Sequence, residues 1–162
     1  MLLHHASIHR PSGHWPQHEA VGALTLDFDA RHRRRIHLVT DQGEELLLDL
    51  PKAVAMADGD GLQREDGRWL KVQAAAELTV EIWHPDPGRL TRIAWHLGNR
   101  HLPTEIGAQF LRIRPDHVIE AMLKGFGANL VRVHAPFQPE GGAYQHHGQR
   151  HDHDEGRVHH ER

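Results

Sequence analysis

The chain has 162 residues, 38% of them hydrophobic and 25% charged, enough to bury a core as one domain or as two small ones. It contains no cysteine, which removes disulfides, thiolate nucleophiles and zinc fingers together. A net charge of −3 gives no broad electrostatic reason to bind nucleic acid or membrane, and no apolar run approaches the roughly 20 residues that span a bilayer.

The opening Met1-Leu2-Leu3-His4-His5 lacks a basic stretch followed by an apolar one, so no secretory signal is expected and the cytoplasm is the expected compartment. Residues 1–16 read as irregular, with Pro11, Gly13 and Pro16. From Val21 the pattern becomes β: Leu24, Leu26 and Phe28 alternate with Thr25 and Asp27. Ile36 to Thr40 and Glu45 to Leu50 read as further strands around the turn at Asp41-Gln42-Gly43. Pro51 ends the second of them. Asp58-Gly59-Asp60-Gly61 is a turn cluster, and Leu62–Arg64 with Trp69–Val72 form a hairpin about Asp66-Gly67. Residues 1–75 therefore read as a small antiparallel β-sandwich or barrel.

After Ala74 the pattern changes. Leu78 to Trp83 is a strand. Pro85 to Asn99 is helical, with Leu90, Ile93, Ala94 and Leu97 on one stripe and Gly98-Asn99 near its end. Leu102–Ile106 and Phe110–Arg114 are short strands. Pro115-Asp116 opens a second helix whose buried face is Val118, Ile119, Met122, Leu123 and Phe126, and Leu130 to Ala135 is a last strand. The order βαββαβ is the ferredoxin-like pattern, so the fold class is α+β, with this second domain at 76–144. Residues 145–162 hold six histidines with a single aliphatic residue. Such a tail cannot build a core and is expected to be disordered without a ligand.

Histidine is the compositional anomaly, at 18 residues against one Tyr and three Met. Imidazole is the commonest metal ligand and titrates near neutral pH. In the tail, His146, His147, His151, His153, His159 and His160 alternate with carboxylates. This donor set suits Ni(II), Cu(II) or Zn(II), competing against a merely solvated tail. His96 and His101 flank the Gly-Asn break. Continued helix would set them about 140° apart, so by spacing alone each reads as a capping or surface histidine. A single histidine at a twofold dimer seam, however, meets its own copy and supplies two ligands. His117 lies in the first turn of the second helix, where an exposed residue is the plainer reading. Arg31-His32-Arg33-Arg34-Arg35 reads as a solvated basic loop. Asp58 to Trp69 lacks the closing Glu of a calcium loop. No phosphate loop, nucleophile elbow or H-E-x-x-H is present, and the chain reads as a non-enzyme.

The run His96-Leu97-Gly98-Asn99-Arg100-His101-Leu102-Pro103 resembles the UreE family of urease accessory proteins, the nickel metallochaperones. The resemblance continues through Asp116-His117-Val118, Met122-Leu123, Phe126-Gly127 and Pro136-Phe137-Gln138-Pro139-Glu140-Gly141-Gly142-Ala143-Tyr144 into a His-rich end. It implies a β domain similar to a chaperone peptide-binding domain, followed by a ferredoxin-like metal-binding domain. It further implies a homodimer, with a metal-linked tetramer as an extension, that binds Ni(II) between paired His101 side chains with the tail as extra ligand or reservoir. The implied partners are urease apoprotein and the urease accessory proteins, including the accessory GTPase; nucleic acid and membrane are not expected as partners. Pro115 departs from relatives that carry a His-x-His pair there, leaving His117 alone.

Delivery requires a site that releases as well as holds its ion, so exchangeable positions are expected rather than a closed cage. Binding to neutral imidazole is expected to weaken in mild acid. The alternatives are a nickel, copper or zinc buffer without a client, and a peptide-binding adaptor whose histidines are incidental.

Overall fold

The computed structural model describes residues 2–141. Its first half forms six strands: β1 (His4–Arg10), β2 (Ala20–Leu26), β3 (Arg35–Val39), β4 (Glu45–Asp49), β5 (Gly61–Arg64) and β6 (Trp69–Ala74). They make one sheet in the order β2-β6-β5-β1-β4-β3. Its core is the inward row of each strand, for example Leu46 and Leu48 on β4 and Leu70 and Val72 on β6. The flanking residues of β4 stay half-exposed, the period-2 burial that the sequence pattern predicts. The pairing is mixed, because β1 lies parallel to β4 and β2 parallel to β6.

Strand β1 corrects the reading of residues 1–16 as irregular. It sits in mid-sheet between β5 and β4, yet only Ala6 is buried among its residues. Its place depends on main-chain hydrogen bonds, which leave no mark on side-chain periodicity.

The second half runs β7 (Ala76–Trp83), α1 (Pro87–Asn99), β8 (Glu105–Ile106), β9 (Leu111–Ile113), α2 (His117–Gly125) and β10 (Asn129–Pro136). The strand order β10-β7-β9-β8, antiparallel throughout, is the ferredoxin-like arrangement. Both helices lay their apolar stripes on this sheet, with Ile93 and Leu97 of α1 and Ile119 and Leu123 of α2 in one core with Val80, Ile82 and Ile113. Asp116 caps α2 by accepting from the Val118 and Ile119 amides. That phase turns Val118 outward, 61% exposed, so it does not belong to the buried face the sequence suggests.

Arg31 joins the two halves. It is 1% exposed, which corrects the reading of 31–35 as wholly solvated; only Arg33, Arg34 and Arg35 are exposed. Its Nε donates to the Leu26 carbonyl at 3.2 Å, Nη1 to that of Met56 at 3.2 Å, and Nη2 to that of Phe137. Burial pulls the guanidinium below its usual range, opposed by the charges of Glu77, Asp27, Asp58 and Asp60. Around it, fully buried Phe137 packs on Phe28 with ring centroids 5.3 Å apart. Arg114 lies over the other aromatic neighbour, Phe28, and bonds Asp29 at 3.0 Å. The strap after β10 is then held from both sides. Gln138 accepts from the Asp58 amide at 2.9 Å and donates its own amide to Glu105 at 3.0 Å, and the Glu140 amide donates to Thr104 O at 2.8 Å.

Helix α1 ends in a Schellman turn: the Leu102 amide reaches back to Leu97 O, and that of His101 to Gly98 O. The residue that must turn left-handed is His101, with φ 55°, the only non-glycine residue of positive φ among the described residues. Glycine normally occupies this place because a Cβ there costs about 1 kcal/mol or more.

Two outcomes follow for the metal-free protein. Arg31→Met leaves three buried carbonyls without their donor and lowers stability by about 3–5 kcal/mol in urea unfolding; a loss under 1 kcal/mol would show that the tie is dispensable. His101→Gly relieves the left-handed turn and raises stability by about 1 kcal/mol, whereas His101→Ala does not. A glycine variant less stable than the parent would refute the strain.

Candidate metal centre

The Schellman turn lifts His101 off the end of α1 and leaves it exposed. It stands on a groove of about 760 Å³ that runs along the junction of the two halves. The groove is lined by Phe28, His32 and Met56 from the first half, by Ala94, Leu102 and Ile106 from the second, and by the strap from Gln138 to Gly141. The walls are mainly apolar, and the polar groups that reach the groove include the imidazoles of His101 and His32 and the carboxylate of Glu140.

His32 was not singled out in the sequence, where it is hidden in the basic run. Its Nδ1 lies 2.6 Å from Phe28 O. A carbonyl can only accept, so Nδ1 carries a proton, and in the neutral ring the lone pair is on Nε2. The ring packs against Phe28 at 4.1 Å, and nothing in its sequence neighbourhood shows this i to i−4 bond.

The other predicted histidines lie elsewhere. His96 is half-buried, stacked on Phe126 at 5.0 Å, in a separate cleft with Arg89, Arg92 and Ile93. Two guanidinium groups make that cleft a poor place for a cation. His117 is exposed at the first position of α2, next to the capping Asp116. The structure thus does not bring His96 and His101 to one cavity. His146, His147, His151, His153, His159 and His160 lie outside the described residues. Among the described residues, no three His, Asp or Glu side chains converge as a metal site. One exposed imidazole offers a single ligand, so a site for Ni(II), Cu(II) or Zn(II) at His101 needs donors from the tail, from a second copy, or from both.

The face beside His101 is unusually apolar. Trp95 is 64% exposed and Ile106 56%. Gly98, one turn before His101, is exposed, and a Cβ built on it meets nothing within 4 Å. A glycine inside a helix costs about 1 kcal/mol relative to alanine, and the protomer's own packing supplies no reason for it. A second apolar hollow, lined by Trp83, Leu90 and Phe110, shares Ala94 and Ile106 with the groove, so the apolar surface is continuous past His101.

Comparison with known families and proteins agrees with this architecture. Residues 3–75 match the family model for the N-terminal domain of the UreE urease accessory protein, and residues 77–162 match that for its C-terminal domain. A urease accessory protein UreE of a Bradyrhizobium species is 58% identical over 125 residues, which is 77% of this chain and 60% of that relative. The UreE of Rhodopseudomonas palustris is 59% identical over 125 residues, 77% of this chain and 59% of its own length. The chain thus spans about three fifths of the length of these two relatives. The UreE of Rhodobacter capsulatus is 42% identical over 158 residues, 98% of this chain and 97% of its own. With both halves matched by their respective models, and with relatives of this similarity, the chain belongs to the UreE family of urease accessory proteins.

Proposed function

We propose that this protein is a nickel metallochaperone of urease maturation, a carrier rather than an enzyme, whose cargo is held between the His101 side chains of two copies. The observation that supports this reading best is His101 itself. A histidine kept where helix termination favours glycine, at an exposed position on an apolar face, is costly for folding and is accounted for by a task outside it. Membership of a family named for urease assembly supplies the client.

In this reading a twofold axis passes close to His101. The surface of α1 around Trp95 and Gly98, with Ile106 of β8, packs on its own copy, and Gly98 lets the two helices approach closely. Paired imidazoles leave most of the coordination sphere of Ni(II) open to water and to the tail histidines His146, His147, His151, His153, His159 and His160. An open sphere exchanges its ligands, which suits hand-over to urease apoprotein or to an accessory GTPase. Residues 1–75 would serve docking, residues 76–144 the metal and 145–162 capture of the ion. His96 and His117 remain candidates of lower rank, the first because arginines surround it and the second because it stands alone. Cu(II) and Zn(II) would compete for the same donors, since intrinsic affinity does not favour Ni(II) over Cu(II).

The competing reading is a metal buffer whose binding resides in the tail. Nickel calorimetry with light scattering on the full chain, on a version ending at Tyr144, and on that version carrying His101→Ala separates the two. The shortened dimer is expected to keep about one nickel per dimer and to lose it with the substitution, and binding should weaken as imidazole protonates in mild acid. If truncation alone abolishes binding, the buffer reading holds.

The seam has its own test. Gly98→Leu has room in the protomer, so the expected product is a folded monomer that binds nickel at His101 at least about tenfold more weakly, one shared ligand having been lost. A dimer of unchanged affinity would place the seam elsewhere.

A further inference from the structure

We propose that the cleft formed by Arg89, Arg92, Ile93, His96 and Phe126, on the flank of α1 turned away from Gly98, docks an acidic segment of a partner protein by receiving its glutamate or aspartate side chains. The inference is independent of the nickel-carrier reading.

The charges on this flank run against what helix formation alone would select. Apart from its cap Asp86, the first turn of α1 holds no acidic residue and carries Arg89 instead, at the end where the helix dipole favours anions. Arg92 follows one turn later, so two like charges stand at i and i+3, a spacing that weakens a helix. Neither is strongly compensated. Arg89 Nε lies 3.9 Å from Asp86 Oδ2 with both side chains mainly exposed, a contact of little strength. Arg92 enters no ion pair among the described residues. Both guanidinium groups therefore hold their forked donors ready for another molecule. A local rule broken without a gain to the fold points to function.

Size and lining select the guest. The cleft has a volume of about 230 Å³, below the roughly 300–1,000 Å³ of small-molecule and cofactor sites, so it suits a side chain and not a nucleotide. Beside the two arginines stand apolar surfaces. Ile93 is 2% exposed, and the His96 ring stacks on Phe126 with centroids 5.0 Å and planes 19° apart. The methylene groups of a glutamate can cover this surface while its carboxylate takes a bidentate contact from a guanidinium. A bare phosphate would leave the apolar part uncovered. The net charge of −3 disfavours an extended polyanion such as nucleic acid or an anionic membrane, whereas a short acidic segment meets only the local positive flank.

The placement leaves this flank open in the proposed dimer. None of the residues lining the cleft lines the groove beside His101. On a regular helix Gly98 lies about 120° from Arg92, 160° from His96 and 180° from Arg89. The surface around Gly98 can therefore meet a second copy while the opposite flank stays in solvent. Trp95, about 60° from Arg92, marks the border between the two.

The experiment is fluorescence anisotropy of a labelled peptide, Gly-Glu-Glu-Leu-Glu-Glu-Gly, titrated with the full chain in the presence of a chelator. The peptide is expected to bind with a Kd below about 1 mM, and its glutamine counterpart not to bind. Arg89→Glu together with Arg92→Glu should weaken binding at least about tenfold. Arg33→Glu together with Arg34→Glu, an equal change of charge on the exposed run of the first half, should change it less than about twofold. Equal losses in the two pairs mean general electrostatic attraction and overturn the cleft, as does an absence of binding. Binding seen only after residues 145–162 are removed makes the chain's own acidic residues the occupant and overturns it too. So does displacement of the peptide by inorganic phosphate at equal concentration, which marks a simple oxyanion site. The same variants report on folding: reversal at Arg89 brings the first turn into accord with the dipole, so the thermal midpoint should not fall. A fall of more than about 5 °C would assign the arginines to the fold and overturn the proposal. No arm involves nickel, so a failed cleft leaves the carrier reading intact, and a protein that binds no nickel at His101 leaves the cleft to be judged on the peptide alone.

Discussion

The arrangement of this molecule depends on one buried cation. Arg31 carries its charge into the junction of the two halves and uses its three donor nitrogens on three carbonyls, from Leu26, Met56 and Phe137. These carbonyls belong to β2, to the loop after β4 and to the strap after β10, segments far apart in sequence. A guanidinium is suited to this because its donors form a rigid planar fork and it keeps its charge even when desolvated. Phe28, Phe137 and Arg114 pack around the tie, so the apolar and the polar contributions act on the same three segments. Because the strap is fixed in this way, the groove beside His101 has a defined wall.

The proposed site is defined by what one protomer lacks. Among the described residues no set of three metal-binding side chains converges, and His101 offers one imidazole from a strained turn. A complete first coordination shell within one chain would favour retention. In the proposed carrier, a single donor that becomes a pair only on assembly would make holding the ion depend on oligomeric state and on added ligands, both of which could change at hand-over. The exposed apolar surface around Trp95, Gly98 and Ile106 is the counterpart of that logic in the proposed dimer, since exposed apolar patches are a common feature of association surfaces.

The two predicted histidines nearest each other in sequence part company in space for a simple reason. His96 still belongs to α1 and turns toward Phe126 of the α2 end, whereas the chain reverses its handedness at His101 and leaves the helix. Five residues of spacing say little once a turn of this kind intervenes. Arg31 and His32 separate similarly from the rest of their basic run: a short 3₁₀ turn at Ala30–His32 directs the first inward and sets the second against Phe28, while Arg33, Arg34 and Arg35 face solvent.

Much was legible in the sequence because it is local. The strands from β2 onward and both helices follow from alternation or helical spacing of Leu, Ile and Val, from the Asp-Gly turns and from the capping Asp116, each expressed within a few residues. The α+β class and the ferredoxin-like order follow from the succession of those elements, and the family from the run around Gly98 to Pro103 with its later Pro-Glu-Gly-Gly-Ala-Tyr. Tertiary structure alone decided the rest. Strand β1 is specified by backbone bonds to β4 and β5 and not by its own side chains. Arg31 is buried because carbonyls from distant segments meet it. His32 joins His101 on one groove because the two halves of the chain are tied together. Each is a contact between residues far apart in the chain, whose free energy depends on a geometry that neither segment's composition encodes.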